Sequence, residues 1–148
     1  MNSFSPTLSP ESDGPRLKLA IVDDDASVRR GLARLLRSSG HQVQVFSSGA
    51  EFLLRGLGEP LDCLIIDVRM PGQTGLTFAD RMRAAGLKIP MILISGDIDA
   101  SVVERVGRLG AVELLCKPLQ ESVILSAIAR AVTKPSVEVE PRATRERV

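Results

Sequence analysis

Five short apolar segments alternate with five amphipathic segments along the chain, and this rhythm constrains the fold more than any other feature. The apolar segments are too short for buried helices and are typical of strands covered on both faces. Strands alternating with helices predict an α/β fold with a parallel sheet between two helical layers. Right-handed crossovers favour a flavodoxin-like, doubly wound (βα)5 sheet with the strand order 2-1-3-4-5. The predicted strands are Leu17–Val22, Val43–Phe46, Cys63–Ile66, Met91–Ile94 and Val112–Cys116.

The predicted helices follow these strands and have apolar residues at helical spacing. Serine, threonine or aspartate precedes several of them as a predicted N-cap, namely Ser47 or Ser48, Thr74 and Asp99. Glycines 40, 56, 86 and 110 are predicted to end the first four helices. The helices cover residues 26–38, about 48–54, 74–85, 100–109 and about 119–132, with Val103 and Val123 among the residues predicted to face inward.

The length of 148 residues suits one domain, which we place at residues 16–132. Residues 1–15 contain three prolines and several serines, and we expect a flexible leader. Residues 133–148 are charged and unpatterned, and we expect a tail or the start of a linker.

Composition argues against direct binding of nucleic acid or membranes. The net charge is +1, and the chain has four Phe but no Trp or Tyr, so neither a basic surface nor a base-stacking surface is expected. No apolar run approaches the roughly 20 residues of a membrane span, and no signal peptide is visible, so we expect a cytoplasmic protein. We expect Cys63 and Cys116 to be reduced core residues. His41, the single histidine, is expected in an exposed loop and offers no metal site.

Polar residues stand where four of the predicted strands end. Asp23 and Asp24 follow the first strand, Asp67 the third, Ser95 the fourth and Lys117 the fifth. Ligands of open parallel sheets bind outside the carboxyl ends of the strands. We therefore expect these side chains to meet at one rim of the sheet and to carry the chemistry of the protein.

Three neighbouring carboxylates repel one another unless a cation lies between them. Mg²⁺ prefers oxygen ligands and retains water that a phosphate can displace, so it is the expected cofactor. We predict that the side chains of Asp24 and Asp67 and the backbone carbonyl of Arg69 are the protein ligands of this ion. Asp23 is predicted to act through water. An aspartate carboxylate beside such an ion can attack phosphorus and form an aspartyl phosphate.

Three further residues complete the predicted phosphoryl site. Lys117 is expected to neutralise one phosphoryl oxygen, and the hydroxyl of Ser95 to donate a hydrogen bond to another. Gly96 lacks a side chain and leaves room for the group. Each residue alone is weak evidence, but their order on successive strand ends is specific.

The motifs Ile21-Val22-Asp23-Asp24-Asp25, Ile66-Asp67-Val68-Arg69-Met70-Pro71-Gly72, Ile94-Ser95-Gly96 and Cys116-Lys117-Pro118 resemble those of receiver domains from two-component response regulators. The resemblance covers about residues 17–132 and is nearest to regulators of the nitrogen-fixation type. It implies that Asp67 is the phosphoacceptor, Asp23 and Asp24 the acid pair, Ser95 the switch hydroxyl and Lys117 the phosphoryl-binding lysine. It also implies Mg²⁺, a sensor histidine kinase that docks near the first helix, and a downstream effector or homodimer.

Three further positions carry alternative interpretations. Leu114 stands where many receivers have Tyr or Phe, so an aromatic switch is unavailable; its position in a strand indicates a core residue on the output face. Arg69 and Asp97 lie two residues beyond Asp67 and Ser95. The resemblance implies that they border the path of the water that removes the phosphoryl group, but they fit solvated loop charges equally well.

Three other classes of protein remain as alternatives. A phosphatase of the haloacid-dehalogenase type needs a second aspartate two residues after its nucleophile, a spacing that only Asp23 and Asp25 provide. A nucleotide-binding module is disfavoured because no glycine-rich phosphate loop follows a strand. A receiver that has lost its chemistry and serves as a scaffold is disfavoured by the intact acids, Ser95 and Lys117.

Overall fold

The computed structural model describes residues 16–70, 74–109 and 112–133, and, for Val112, the backbone alone. The predictions for the leader, for Pro71 and Gly72, for Gly110 and for the tail beyond Thr133 lie outside the described residues. Among the described residues, no helix has the length and apolar character that a membrane span requires.

Five parallel strands form one sheet in the predicted order, β2-β1-β3-β4-β5. The third strand in sequence lies at the centre. Its last residue, Asp67, pairs in register with Ile94, and Ser95 ends the neighbouring strand. The strands are β1 (Lys18–Val22), β2 (Gln42–Phe46), β3 (Cys63–Asp67), β4 (Met91–Ser95) and β5 (Val112–Cys116).

Five helices follow the strands, and three of them begin at the predicted caps. The side chains of Ser48, Thr74 and Asp99 each accept a hydrogen bond from a backbone N–H in the first turn. Gly40 and Gly86 adopt φ angles of 97° and 83°, the left-handed conformation that ends a helix. The helices are α1 (Ala26–Ser38), α2 (Gly49–Arg55), α3 (Gly75–Ala84), α4 (Ala100–Leu109) and α5 (Glu121–Thr133).

The sheet separates two apolar cores, as side-chain alternation along buried strands requires. From β3, Cys63 and Ile65 face the core made with α1 and α5. Leu64 and Ile66 face the core made with α2, α3 and α4. Burial raises the pKa of the Cys63 thiol to about 12, so this cysteine is a protonated core residue, as predicted.

Four burial predictions were wrong. Cys116 is exposed because it is the last residue of an edge strand. Val103 and Val123 are 55% and 41% exposed, because α4 and α5 contact the sheet through narrower stripes than their apolar spacing suggests. His41 is half-buried, and its Nδ1 accepts a hydrogen bond from the backbone N–H of Leu17 at 3.2 Å.

Candidate functional site

The three predicted acids lie together at the carboxyl ends of β1 and β3. Carboxylate oxygens of Asp23, Asp24 and Asp67 all lie within 4.8 Å of one another. β1 and β3 are neighbours in the sheet. This pairing brings Asp23 and Asp67, which are 44 positions apart in sequence, to the same rim. Asp23 and Asp67 are 3% and 6% exposed, whereas Asp24 faces solvent. The cluster therefore has two buried acids and one acid at its open side.

Among the described residues, Lys117 alone forms ion pairs with the carboxylates of the two buried acids. Its Nζ lies 3.5 Å from Oδ2 of Asp67 and 4.0 Å from Oδ2 of Asp23. The backbone N–H of Lys117 donates to the carbonyl of Ser95 at 2.9 Å, which extends the ladder between β4 and β5 by one residue. Because β4 lies between β3 and β5, the lysine side chain extends across the end of β4 to reach Asp67.

Asp23 is held at a raised pKa. Burial of its carboxyl group is the largest cause and raises the pKa from 3.8 to about 6, and the negative charge of Asp67 adds to the increase. The backbone N–H of Asp25 donates to Oδ1 of Asp23 at 2.9 Å and offsets part of the increase. Arg29 donates to the backbone carbonyl of Asp23 at 2.7 Å, so this arginine braces the loop after β1.

Asp67 is positioned by the chain on both sides of it. The backbone N–H of Arg69 donates to Oδ1 of Asp67 at 3.2 Å. Gly75, the first residue of α3, packs directly on the backbone of Asp67, and its N–H donates to the carbonyl of Val68 at 2.8 Å. A Cβ atom at Gly75 would collide with the Asp67 carbonyl oxygen. Glycine at this position therefore allows α3 to begin immediately beside the end of β3.

Ser95 is fully buried at the end of β4, and its hydroxyl is engaged with the next loop. The hydroxyl donates to the backbone carbonyl of Asp97 at 3.0 Å and accepts from the backbone N–H of Asp97 at 3.1 Å. The predicted bond from Ser95 to a phosphoryl group therefore requires the hydroxyl to stop donating to the Asp97 carbonyl. Gly96 is exposed, and a Cβ atom there would meet no atom within 4 Å, so it borders open space.

An ion pair between the two loops that flank Asp67 was not predicted as a contact. Arg69 contacts Asp97 with 2.7 Å between its guanidinium nitrogen and Oδ2, and both side chains are about two-thirds exposed. The two residues are 28 positions apart, and no local pattern in the sequence predicts their pairing. The charges of Arg69 and Asp97 are thus solvated, as the interpretation of solvated loop charges held, but they also form an ion pair.

Leu114 lies in β5 beside Leu93 of β4. It is half-buried and packs against the core made with α2, α3 and α4. This agrees with the prediction of a core residue.

Two contributions to the site were missed by the sequence reasoning. Asp25 accepts hydrogen bonds from the backbone N–H groups of Ser27 and Val28 and caps α1. The helical pattern that begins at Ala26 could have revealed this cap. Arg29 donates to the Asp23 carbonyl, a contact that helical periodicity does not reveal.

The acid cluster fits a hard divalent cation. Mg²⁺ binds carboxylate oxygens and water in an octahedral arrangement, and the cluster offers such oxygens from three side chains with one side open to solvent. Burial, and to a smaller extent the charge of Asp67, disfavours the ionised form of Asp23 and raises its pKa, and a bound cation would favour that ionised form.

Comparison with known proteins identifies the family. Residues 19–129 match the profile of the family described as "Response regulator receiver domain". The chain belongs to this family. Receiver domains are the phosphoacceptor modules of two-component signalling, and the resemblance noted in the sequence is confirmed.

Curated relatives agree with this assignment. The receiver is 39% identical over 114 residues to the transcriptional regulatory protein FixJ of Azorhizobium caulinodans, covering 76% of this chain and 53% of FixJ. It is 36% identical over 114 residues to nodulation protein W of Bradyrhizobium diazoefficiens, covering 77% of this chain and 50% of that protein. The chain spans about half the length of these curated relatives.

Solved structures show the same fold. The receiver matches the structure titled FixJ-N with a TM-score of 0.73 and 31% identity, covering 80% of this chain and 95% of that one. It matches the chemotaxis protein CheY4 of Vibrio cholerae with a TM-score of 0.73 and 25% identity, covering 79% and 99% of the two chains. The phosphatase alternative has no support among these findings. Asp25, its required second acid, is engaged as the cap of α1.

Proposed function

We propose that Asp67 is the phosphoacceptor of this receiver, and that Asp24 and Asp67 bind the Mg²⁺ that phosphorylation requires. The observation that carries this proposal is the position of the Asp67 carboxylate, within 4.8 Å of the other two acids and 3.5 Å from the ammonium of Lys117. Asp67 and Asp23 both lie between the acid cluster and the lysine, and Asp67 is the nearer of the two to the ammonium, at 3.5 Å against 4.0 Å.

The transfer follows from this geometry. An oxygen of Asp67 attacks phosphorus, the bond from phosphorus to the donor breaks, and the donor leaves with the electron pair. When the donor is a phosphohistidine, the leaving imidazole nitrogen takes up a proton from water. Lys117 lies close enough to Asp67 to pair with a phosphoryl oxygen, and Ser95 supplies a hydroxyl donor on the neighbouring strand.

The proposed metal site uses the carboxylates of Asp24 and Asp67 directly and Asp23 through water. The backbone carbonyl of Arg69 is the fourth protein contribution. A bound Mg²⁺ supplies positive charge that neutralises phosphoryl oxygens during transfer. The protein's own contribution is to hold the acids in register at the ends of two adjacent strands.

Intact-mass analysis tests the assignment of Asp67. The protein is incubated with acetyl phosphate, with and without Mg²⁺, and the expected result is one added phosphoryl group only when Mg²⁺ is present. Asp67→Asn should take up none, whereas Asp80→Asn, an exposed acid on α3, should behave as the parent does. A phosphoryl group on the Asp67→Asn protein would show that another residue is the acceptor.

A groove beside the site supports a histidine kinase as the phosphoryl donor. An apolar cavity of about 500 Å³ lies between α1 and the segment after β5. Leu32 and Leu35 line one wall, Pro118 and Ile124 line the other, and Lys117 lies at its edge. An apolar helix seated there would place a phosphohistidine near Asp67. This is the position that the resemblance to receiver domains implies.

The output belongs to a partner or to a second copy. The named relatives include proteins titled transcriptional regulators, and this chain spans about half their length. We propose that phosphorylation changes the affinity of the face around α4 and β5 for an effector domain or for a second receiver, and thereby regulates transcription. The receiver itself contacts no nucleic acid, turns over no external substrate and acts in the cytoplasm.

A further inference from the structure

A continuous series of contacts links Asp67, the proposed acceptor, to the loop after β4. The backbone N–H of Arg69 donates to Asp67, and the Arg69 guanidinium pairs with the carboxylate of Asp97. The backbone of Asp97 forms both hydrogen bonds of the Ser95 hydroxyl described above. Asp97 thus contacts the switch hydroxyl through its backbone and Arg69 through its side chain.

We propose that Arg69 exchanges partners on phosphorylation, leaving the carboxylate of Asp97 for the phosphoryl group on Asp67. Asp97 then acts as a restraint on the switch, because it holds both the arginine and the serine that the phosphoryl group recruits. This inference rests on the proposed function of Asp67.

The charges favour such an exchange. Phosphorylation adds a dianionic group next to the residue whose backbone already binds the Asp67 carboxylate. A guanidinium binds a phosphoryl group, like a carboxylate, through two parallel hydrogen bonds, and the greater negative charge of the phosphoryl group strengthens the attraction. The existing pair is about two-thirds exposed on both sides, and such pairs are weak and easily broken.

One other acid faces the arginine. Hydrogen bonds from Ser101 and from the backbone of Val102 are the main causes that lower the pKa of Asp99, and the charge of Arg69 lowers it further. Asp99 caps α4 and is left unchanged in every variant below. Asp97→Asn retains the backbone bonds to Ser95 and removes only the charge that holds Arg69.

Binding of beryllofluoride, a tetrahedral phosphoryl analogue, tests the exchange when measured by calorimetry in excess Mg²⁺. Asp97→Asn should bind it about two- to fivefold more tightly, the range expected when an exposed ion pair is lost. Arg69→Ala should bind it about fivefold more weakly or worse, and Arg69→Lys should recover part of the affinity. The double variant should match Arg69→Ala within about twofold, because the Asp97 carboxylate acts only through Arg69 and the backbone bonds to Ser95 are retained.

The matched control is Glu104→Gln, which removes another exposed pair, that of Arg108 and Glu104 at 2.9 Å on α4, and should leave the affinity unchanged. If Asp97→Asn tightens binding equally when Arg69 is absent, Asp97 merely repels the anion and the exchange is wrong. An unchanged affinity of Asp97→Asn overturns it as well. Beryllofluoride binding by Asp67→Asn would instead overturn the proposed acceptor, so the two failures are distinguishable.

Discussion

The hydroxyl of Ser95 forms its hydrogen bonds with the backbone of Asp97, at 3.0 and 3.1 Å, rather than reaching towards Asp67. Both residues belong to the segment that leads from β4 into α4, so a hydroxyl that turns to a phosphoryl group releases that segment. The phosphoryl group can bias this change only through contacts that differ between the two arrangements. In the proposed mechanism, Ser95 is therefore the residue that would couple a phosphoryl group on Asp67 to movement of this loop.

Replacing Ser95 with alanine should separate phosphorylation from output. The acids and Lys117 are untouched, so uptake of a phosphoryl group from acetyl phosphate should persist. Phosphorylation-dependent dimerisation, measured by analytical ultracentrifugation, should be reduced severalfold. Full dimerisation of phosphorylated Ser95→Ala would show that the signal does not pass through this hydroxyl.

Lys117→Gln should slow phosphoryl uptake while preserving the metal site. The ammonium lies 3.5 Å from Asp67 and competes with a cation for the same carboxylates. Mg²⁺ affinity, measured by calorimetry, should therefore stay equal or increase. Uptake from acetyl phosphate should be slowed about tenfold or more, since a charge-assisted contact to the phosphoryl group is lost. Equal losses of both properties would mean that the variant has disrupted the rim as a whole.

Asp23→Asn should change how stability depends on pH. The pKa of Asp23 is raised to about 6 in the folded protein, so the folded state binds this proton more tightly than the unfolded state. The contribution of Asp23 to stability is thus present at low pH and declines as pH rises from about 4 to 6. The variant should gain about 1 kcal/mol or more over the parent across this interval.

Urea unfolding at several pH values in a chelating buffer measures this gain, and saturating Mg²⁺ should reduce it. Asp80→Asn, which changes an exposed acid, should show no such trend. A difference between Asp23→Asn and the parent that stays constant from pH 4 to 7 would contradict the raised pKa.

Two glycines in helices should respond in opposite ways to alanine. At Gly75 the new methyl group would meet the carbonyl oxygen of Asp67 and would lie 2.8 Å from Cγ2 of Ile66, so the end of β3 must shift. We expect a loss of about 1–3 kcal/mol in the free energy of unfolding and slower phosphoryl uptake. Gly107→Ala in α4 meets no neighbouring atom and should gain about 0.5–1 kcal/mol. Denaturant unfolding measures the free energy of unfolding of both variants. A change of the same sign in both would mean that alanine acts through helix propensity and not through the close packing at Gly75.

The fold and most of the site were predictable because they depend on periodicity and on where strands end. The apolar run before Asp67 places it at the last position of β3, and parallel topology then brings Asp23 and Lys117 to the same rim. The contacts between loops were not predictable, because the pair Arg69–Asp97 depends on the path of two irregular segments. The exposure of Cys116 likewise depends on which strand lies at the edge of the sheet, which its apolar surroundings in sequence do not reveal.

Side-chain alternation assigns the two halves of the phosphoryl site to opposite layers. Asp67 shares the side of Ile65, facing α1 and α5, whereas Ser95 shares the side of Leu93, facing α3 and α4. If the proposed function holds, donor recognition would use the layer of α1 and readout the layer of α3 and α4. Substitutions on one of these surfaces would then leave the other unchanged, and such insulation would allow a receiver to acquire a new donor without losing its output.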